Sequence, residues 1–177
     1  MAAYAPERTI LIESLSKRIS PGLTLGFVVA PPGPRFEKIS TAIRLGAWTA
    51  SGFALEFGHH WLKTNVVSEL EEAKRRDAIK RQKIASRELT GLSLTRDERS
   101  YHLWLELPDR WRAETFVSAA ARRGIAVTPA ATFAVIPGHA PNAVRLALAS
   151  PALDDLSKAL KTIATICNGE PDMTFAS

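Results

Sequence analysis

The sequence predicts an α/β chain made of two pieces, and three observations carry this. Near the N-terminus two apolar runs, Thr9 to Ile12 and Leu23 to Ala30, flank a polar stretch from Glu13 to Gly22 that holds Lys17, a layout of strand, loop and strand. From Asn65 to Thr90 runs one long helical pattern. It is acidic first (Glu69, Glu71, Glu72) and basic later (Lys74, Arg75, Arg76, Lys80, Arg81, Lys83, Arg87), an order that complements the helix dipole. Beyond Gly91, strand-like alternation and helix-like periodicity take turns, as expected of a small α+β domain.

Each element has its own justification. The two first strands are apolar throughout rather than alternating, which predicts strands covered on both faces. Pro31, Pro32, Gly33 and Pro34 end the second. A helix is predicted from Arg35 to Leu45, with Phe36, Ile39, Ala42 and Ile43 on its apolar side. Another runs from Ser51 to Leu62, strongly apolar through Phe53, Leu55, Phe57, Trp61 and Leu62. His59 and His60 are adjacent in it and point about 100° apart, a poor geometry for chelation. No Cys or carboxylate stands at ligand spacing, so they read as surface histidines.

After Gly91, Leu92 to Leu94 reads as a short strand and Thr95 to Arg99 as a charged turn. Tyr101 to Leu107 alternates, with Tyr101, Leu103, Leu105 and Leu107 on one face and His102, Trp104 and Glu106 on the other. Arg112 to Arg123 is an amphipathic helix with Phe116, Val117, Ala120 and Ala121 inward and Gly124 as its C′ residue. Ile125 to Thr128 is a strand stopped by Pro129, Thr132 to Ile136 is extended or looped, and Ala143 to Ala149 is a further strand. Ser150 is placed to cap the last helix, with Pro151 at its first position and Asp154 and Asp155 in its first turn. That helix runs to Cys167 with Leu153, Leu156, Leu160, Ile163 and Ile166 inward; the tail from Gly169 reads as disordered.

Composition narrows the function classes. Over 177 residues the chain is 46% apolar and 23% charged, ordinary for a globular protein. A net charge of +5 is only mildly basic. The basic residues between 74 and 87 lack aromatic interleaving and a helix-turn-helix pattern, so they read as a solvated helix face. A single cysteine, Cys167, excludes an internal disulfide and fits a reducing compartment. The N-terminus has no signal-peptide core and no apolar stretch reaches membrane-spanning length, which predicts a cytoplasmic protein with no membrane partner.

Two stretches carry chemistry. Lysine amines serve as nucleophiles when desolvation or nearby cations lower their pKa, chiefly in Schiff-base reactions. Lys17 taken alone reads as a solvated loop lysine. Its surroundings, S-L-S-K-R-I-S-P-G-L-T-L-G-F, resemble the S-x-S-K-x-x-x-P-G-L-R-x-G-Y signature of class I/II aminotransferases, pyridoxal-phosphate enzymes of fold type I. The nearest resemblance is to the aminotransferase-like domain of MocR-type, GntR-family transcription regulators. The resemblance implies that Lys17 forms the Schiff base with pyridoxal phosphate and that Ser14 hydrogen-bonds the cofactor phosphate. It also implies that Thr24 replaces the arginine that usually grips this phosphate, which predicts weakened affinity.

The second stretch centres on Arg145. A lone arginine in an apolar strand calls for a salt bridge, an edge position or a carboxylate ligand. The words N-A-V-R-L-A-L and G-I-A-V-T-P-A-A-T-F resemble the family's N-x-x-R-L and G-V-x-V-x-P-G-x-x-F, with Ala130 where glycine is usual. This implies that Arg145 binds the α-carboxylate of an amino acid.

From the resemblance, residues 1–62 are expected to be a remnant of the fold type I large domain. Residues 63–90 form a connecting helix, residues 91–168 a small C-terminal α+β domain and residues 169–177 a disordered tail. Relatives are homodimers and carry a long part before the lysine strand, which supplies the partner of the pyridinium nitrogen; in MocR-type relatives a winged-helix domain binds DNA. Neither is in this sequence, so it reads as the C-terminal third or so of a longer protein. The expected function is that of an effector-binding domain of a MocR-type regulator that takes an amino acid. The alternatives are a fragment of a catalytic amino-acid aminotransferase and a non-functional truncated fragment.

Overall fold

A computed structural model describes residues 2–19, 22, 24–46, 50–136 and 138–171, with the Lys17 and Arg18 side chains outside the description. The chain divides into two units, residues up to Ala73 and residues from Lys74 onward.

In the first unit, β1 (Leu11–Ser14) leads directly into a single helical turn, α1 (Leu15–Arg18). Then come β2 (Gly26–Val29), α2 (Pro34–Leu45), α3 (Gly52–Lys63) and the first turns of α4 (Val66–Glu88). The strands pair antiparallel, Leu11 opposite Val29 and Ser14 opposite Gly26. Lys17 is therefore on a helical turn and not in a loop. The reason is local: Ser14 at the N-cap accepts a hydrogen bond from the Ser16 N–H at 3.2 Å, and Ile19 N–H reaches Leu15 O at 2.8 Å. Leu15 and Ile19, four apart, share one side of this turn and are buried with Leu25, against Phe27, Trp61, Val67 and Leu70. Helix α3 comes so close here that a Cβ on Gly58 would overlap Leu25.

The expectation of strands covered on both faces does not hold within this unit. Ile12 is 76% exposed and Val29 60%. The buried cluster gathers under α1, at one end of the hairpin, and leaves the apolar strand faces open.

The second unit holds the rest of α4, then β3 (Leu94–Arg96), β4 (His102–Glu106), α5 (Ala113–Arg122), β5 (Thr128–Pro129), a 3-10 turn (Ala130–Phe133), β6 (Ala143–Ala147) and α6 (Leu153–Asn168). The strands form an antiparallel sheet in the order β3-β4-β6-β5. One face, with Leu103, Leu105, Val144 and Leu146, is buried with Phe116 and Ala120 of α5, Leu156, Leu160, Ile163 and Cys167 of α6, and Ala85 and Leu89 of α4. The opposite face is open.

Several elements differ from expectation. The stretch read as a charged turn contributes Thr95 and Arg96 to β3, because it finds Trp104 and its neighbours as a partner. The strand expected from Ile125 is only two residues long, with Pro129 on the sheet's outer edge where a missing N–H costs nothing. In α5, Ala119 is buried and Ala121 exposed. Helix α6 starts at Leu153 with Ala152 at the N-cap, and Ser150 and Pro151 lie before it. The Arg81 guanidinium holds that segment, one terminal nitrogen donating to the carbonyls of Leu148 and Pro151, both at 2.7 Å. Gly124 does follow α5 at φ 73°, and Ile125 N–H returns to Ala120 O at 3.0 Å, so the glycine stop is local chemistry that the sequence announces.

Arg81 also anchors a polar knot. Its Nε donates to Asp77 at 2.7 Å, and the Tyr101 hydroxyl donates to the same carboxylate oxygen at 2.9 Å. Burial works to raise the Asp77 pKa but is outweighed by these hydrogen bonds, so the carboxyl titrates below its ordinary value of 3.8. Tyr101 is pushed up to about 12 by burial and by its bond to Asp77. The depressed Asp77 stabilises the fold above its unfolded value, and that contribution is lost as pH falls through the folded value. The raised Tyr101 stabilises the fold below its unfolded value of 10.0, and that contribution is lost as pH rises towards about 12. Urea midpoints measured from about pH 8 to pH 12 should fall more steeply for the parent chain than for Tyr101→Phe. Parallel curves for the two proteins would sink this assignment.

Candidate functional site

In the first unit the residues of the lysine motif converge on the α1 turn. Ser14 closes β1 and caps α1; its hydroxyl lies 2.7 Å from that of Ser16 and 3.3 Å from Leu25 O. Leu15 N–H donates to the same carbonyl at 3.1 Å. Thr24, the residue before Leu25, is thereby brought to the Ser14 end of the hairpin, and it is exposed. Ser20, Pro21 and Leu23 of the motif lie outside the described residues, and Lys17 enters with its backbone only.

This donor set fits the phosphate end of a pyridoxal phosphate. Ser14 and Ser16 share one 2.7 Å hydroxyl–hydroxyl bond in which either can donate, and the contact from Ser14 to Leu25 O is long at 3.3 Å, so one hydroxyl proton of the pair can turn to an anion while the other keeps the shared bond. Ser16, which the motif resemblance did not assign, supplies a second hydroxyl; its signal in the sequence was the S-x-S spacing itself.

In the second unit Arg145 sits in the middle of the open sheet face. Strand register puts Thr95 beside Trp104, Trp104 beside Arg145 and Arg145 beside Thr128, one row across all four strands. Residues opposed in this way project to one side. The Phe133 ring lies over the guanidinium, 4.5 Å from its carbon to the ring centroid, and meets Trp104 edge to face at 5.4 Å. Arg145 Nε is buried with no hydrogen-bond partner, and among the described residues no carboxylate pairs with the side chain. Among the described residues the cation is met by an aromatic ring and by no carboxylate. Its field is felt by His102 on the same face: burial first, and then the Arg145 charge, hold that imidazole below its ordinary pKa. A planar, unpaired guanidinium held in this way can take a carboxylate in a bidentate manner.

Ser14, Ser16 and Thr24 are therefore brought together, while Arg145 stands in the other unit. Trp104 and Phe133 went unassigned in the sequence reading, although Trp104 falls on the outward face of the β4 alternation and Phe133 closes the P-A-A-T-F word. Among the described residues no group of His, Cys, Asp or Glu could hold a metal ion, and His59 and His60 are exposed on α3. Cys167 is fully buried and burial pushes its thiol pKa up, which leaves it chemically quiet.

The fold built by these elements is that of the C-terminal part of fold type I aminotransferases. It matches LysN, the α-aminoadipate aminotransferase of Thermus thermophilus solved with N-(5'-phosphopyridoxyl)-L-leucine, with a TM-score of 0.78, 22% identity, 94% of this chain and 43% of that one. It matches a probable N-succinyldiaminopimelate aminotransferase, also of Thermus thermophilus, with a TM-score of 0.71, 28% identity, 92% of this chain and 43% of that one. The chain is thus aminotransferase-like, as its two motifs implied. In sequence it is similar to the uncharacterized HTH-type transcriptional regulator YdeF of Bacillus subtilis (strain 168), 32% identical over 161 residues that cover 90% of this chain and 35% of the regulator. The chain spans about a third of the length of that curated relative and about two fifths of the solved structures. No family model matches it. Among the described residues no helix is long and apolar enough to cross a membrane.

Proposed function

We propose that this chain is the effector-binding, aminotransferase-like part of a MocR-type transcription regulator. Similarity to an HTH-type regulator across nine tenths of the chain is the observation that carries the reading. In this reading Lys17 holds pyridoxal phosphate covalently, the Ser14 and Ser16 hydroxyls meet its phosphate, and Thr24 stands where a stronger anion ligand is usual. When bound, the cofactor supplies an electrophilic carbon that an amino group can attack. Arg145 takes the α-carboxylate of an amino-acid effector; its buried Nε, without a hydrogen-bond partner among the described residues, and its place under the Phe133 ring support this. A homodimer, a cytoplasmic location and DNA contact through a winged-helix domain outside this sequence go with the same reading. The division at residues 62, 90 and 168, with α4 as connector, belongs to it as well.

One observation favours the enzymatic alternative: the structural neighbours are themselves aminotransferases. Absorbance titration separates the two readings. The regulator reading expects Lys17-dependent cofactor spectra that respond to amino acids without turnover, and Lys17→Ala abolishes the covalent signal. Catalytic conversion of an amino acid to its keto acid, lost in Lys17→Ala, would replace it with the enzyme reading.

A further inference from the structure

Beside Arg145 the open sheet face carries a cavity of about 310 Å³. It shares two aromatic walls with the arginine, Trp104 and Phe133. Ala134 and Ala143 leave the space open, and Glu106 is the one acid on its lining, with no lysine or arginine there. Among the described residues the Glu106 carboxylate is not consumed by a cation; it accepts a hydrogen bond from the Ser93 hydroxyl at 2.7 Å.

We propose that this cavity is the side-chain site for a neutral aromatic amino acid whose carboxylate rests on Arg145, an inference that depends on the reading of Arg145 as the carboxylate anchor. Size, shape and charge each point to this ligand class. A dry cavity of about 150 Å³ is enough to hold benzene, so this volume accommodates a phenyl or indole ring. Trp104 and Phe133 both line the cavity, so a third aromatic ring that enters it meets aromatic surface at the offsets such rings prefer. A ligand with a second carboxylate would bring it against Glu106 in a lining whose one basic side chain is His139 and that holds no lysine or arginine, so dicarboxylic amino acids are selected against. Arg145 already supplies the single positive charge that a neutral amino acid's carboxylate needs.

Ligand-observed NMR titrations of the 177-residue chain with L-phenylalanine, L-alanine, L-glutamate and indole test this. L-phenylalanine is expected to bind about tenfold or more tighter than L-alanine or L-glutamate, the scale of burying a ring in an apolar pocket. Ala134→Trp fills the cavity and should remove that preference while leaving L-alanine unchanged; Ala134→Leu should do so in part, and serves where the larger ring disturbs the circular dichroism spectrum. A preference that is absent, or that survives both substitutions, overturns the proposal, as does a lack of binding by every ligand. Arg145→Ala should weaken all three amino acids and spare indole. If indole and L-phenylalanine instead bind alike, both lost in Ala134→Trp and neither changed by Arg145→Ala, the cavity is upheld and the anchor reading of Arg145 is the part that falls.

Discussion

Thr24→Arg should tighten the chain's hold on pyridoxal phosphate about tenfold to a hundredfold. A charge-assisted contact to phosphate contributes roughly 1.5–3 kcal/mol, and a threonine hydroxyl cannot supply it. The structure gives the substitution room and direction: Thr24 is exposed and adjoins Leu25, whose carbonyl is contacted by both Ser14 and Leu15. The parent chain is expected to bind the cofactor weakly, because Thr24 stands where the resemblance has arginine. Absorbance titration of parent, Thr24→Arg and the Lys17→Ala form of each checks this. Equal affinity in parent and Thr24→Arg would mean that the phosphate does not sit at the Ser14 end of the hairpin. Tight, Lys17-dependent binding by the parent would mean that a second copy completes the site.

Phe116→Ala should cost the second unit about 3–5 kcal/mol, the range for removing a buried phenyl ring. Phe116 is 0% exposed, at the centre of the cluster shared by α4, α5, α6 and the sheet. Its ring also meets Trp111 edge to face at 5.4 Å, and Trp111 in turn donates from its indole nitrogen to Gly169 O at 3.2 Å. Loss of the ring therefore leaves a void and frees the contact that holds the segment after β4 against the end of α6. Urea denaturation read by tryptophan fluorescence measures the change, with Ala121→Ser on the exposed face of α5 as a control expected to stay within about 0.5 kcal/mol. A midpoint shift no larger than the control's would remove Phe116 from the core.

Much of this molecule was legible from neighbouring residues alone. The fold class, the long α4, the alternating β4 and the glycine stop of α5 follow from periodicity and capping, which act over a few residues. The two motifs were legible for the same reason: their functional residues are contiguous in the chain. Even Ser14's cap on α1 is a contact two residues long, although the loop was expected to be irregular.

What needed the tertiary structure is everything set by residues far apart in sequence. Trp104, Phe133 and Arg145 meet only because β4 and β6 pair in one register and the 3-10 turn folds back over them. A slip of one residue would send Arg145 into the buried layer with Val144 and Leu146. The segment just before α6 is likewise held from a distance: Arg81, 70 positions upstream of Pro151, donates to the carbonyls of Leu148 and Pro151, and the helix begins only at Leu153. The exposure of Ile12 and Val29 belongs here too: an all-apolar strand states that it is to be covered, but the cover must come from other segments, and a strand's own residues cannot supply it.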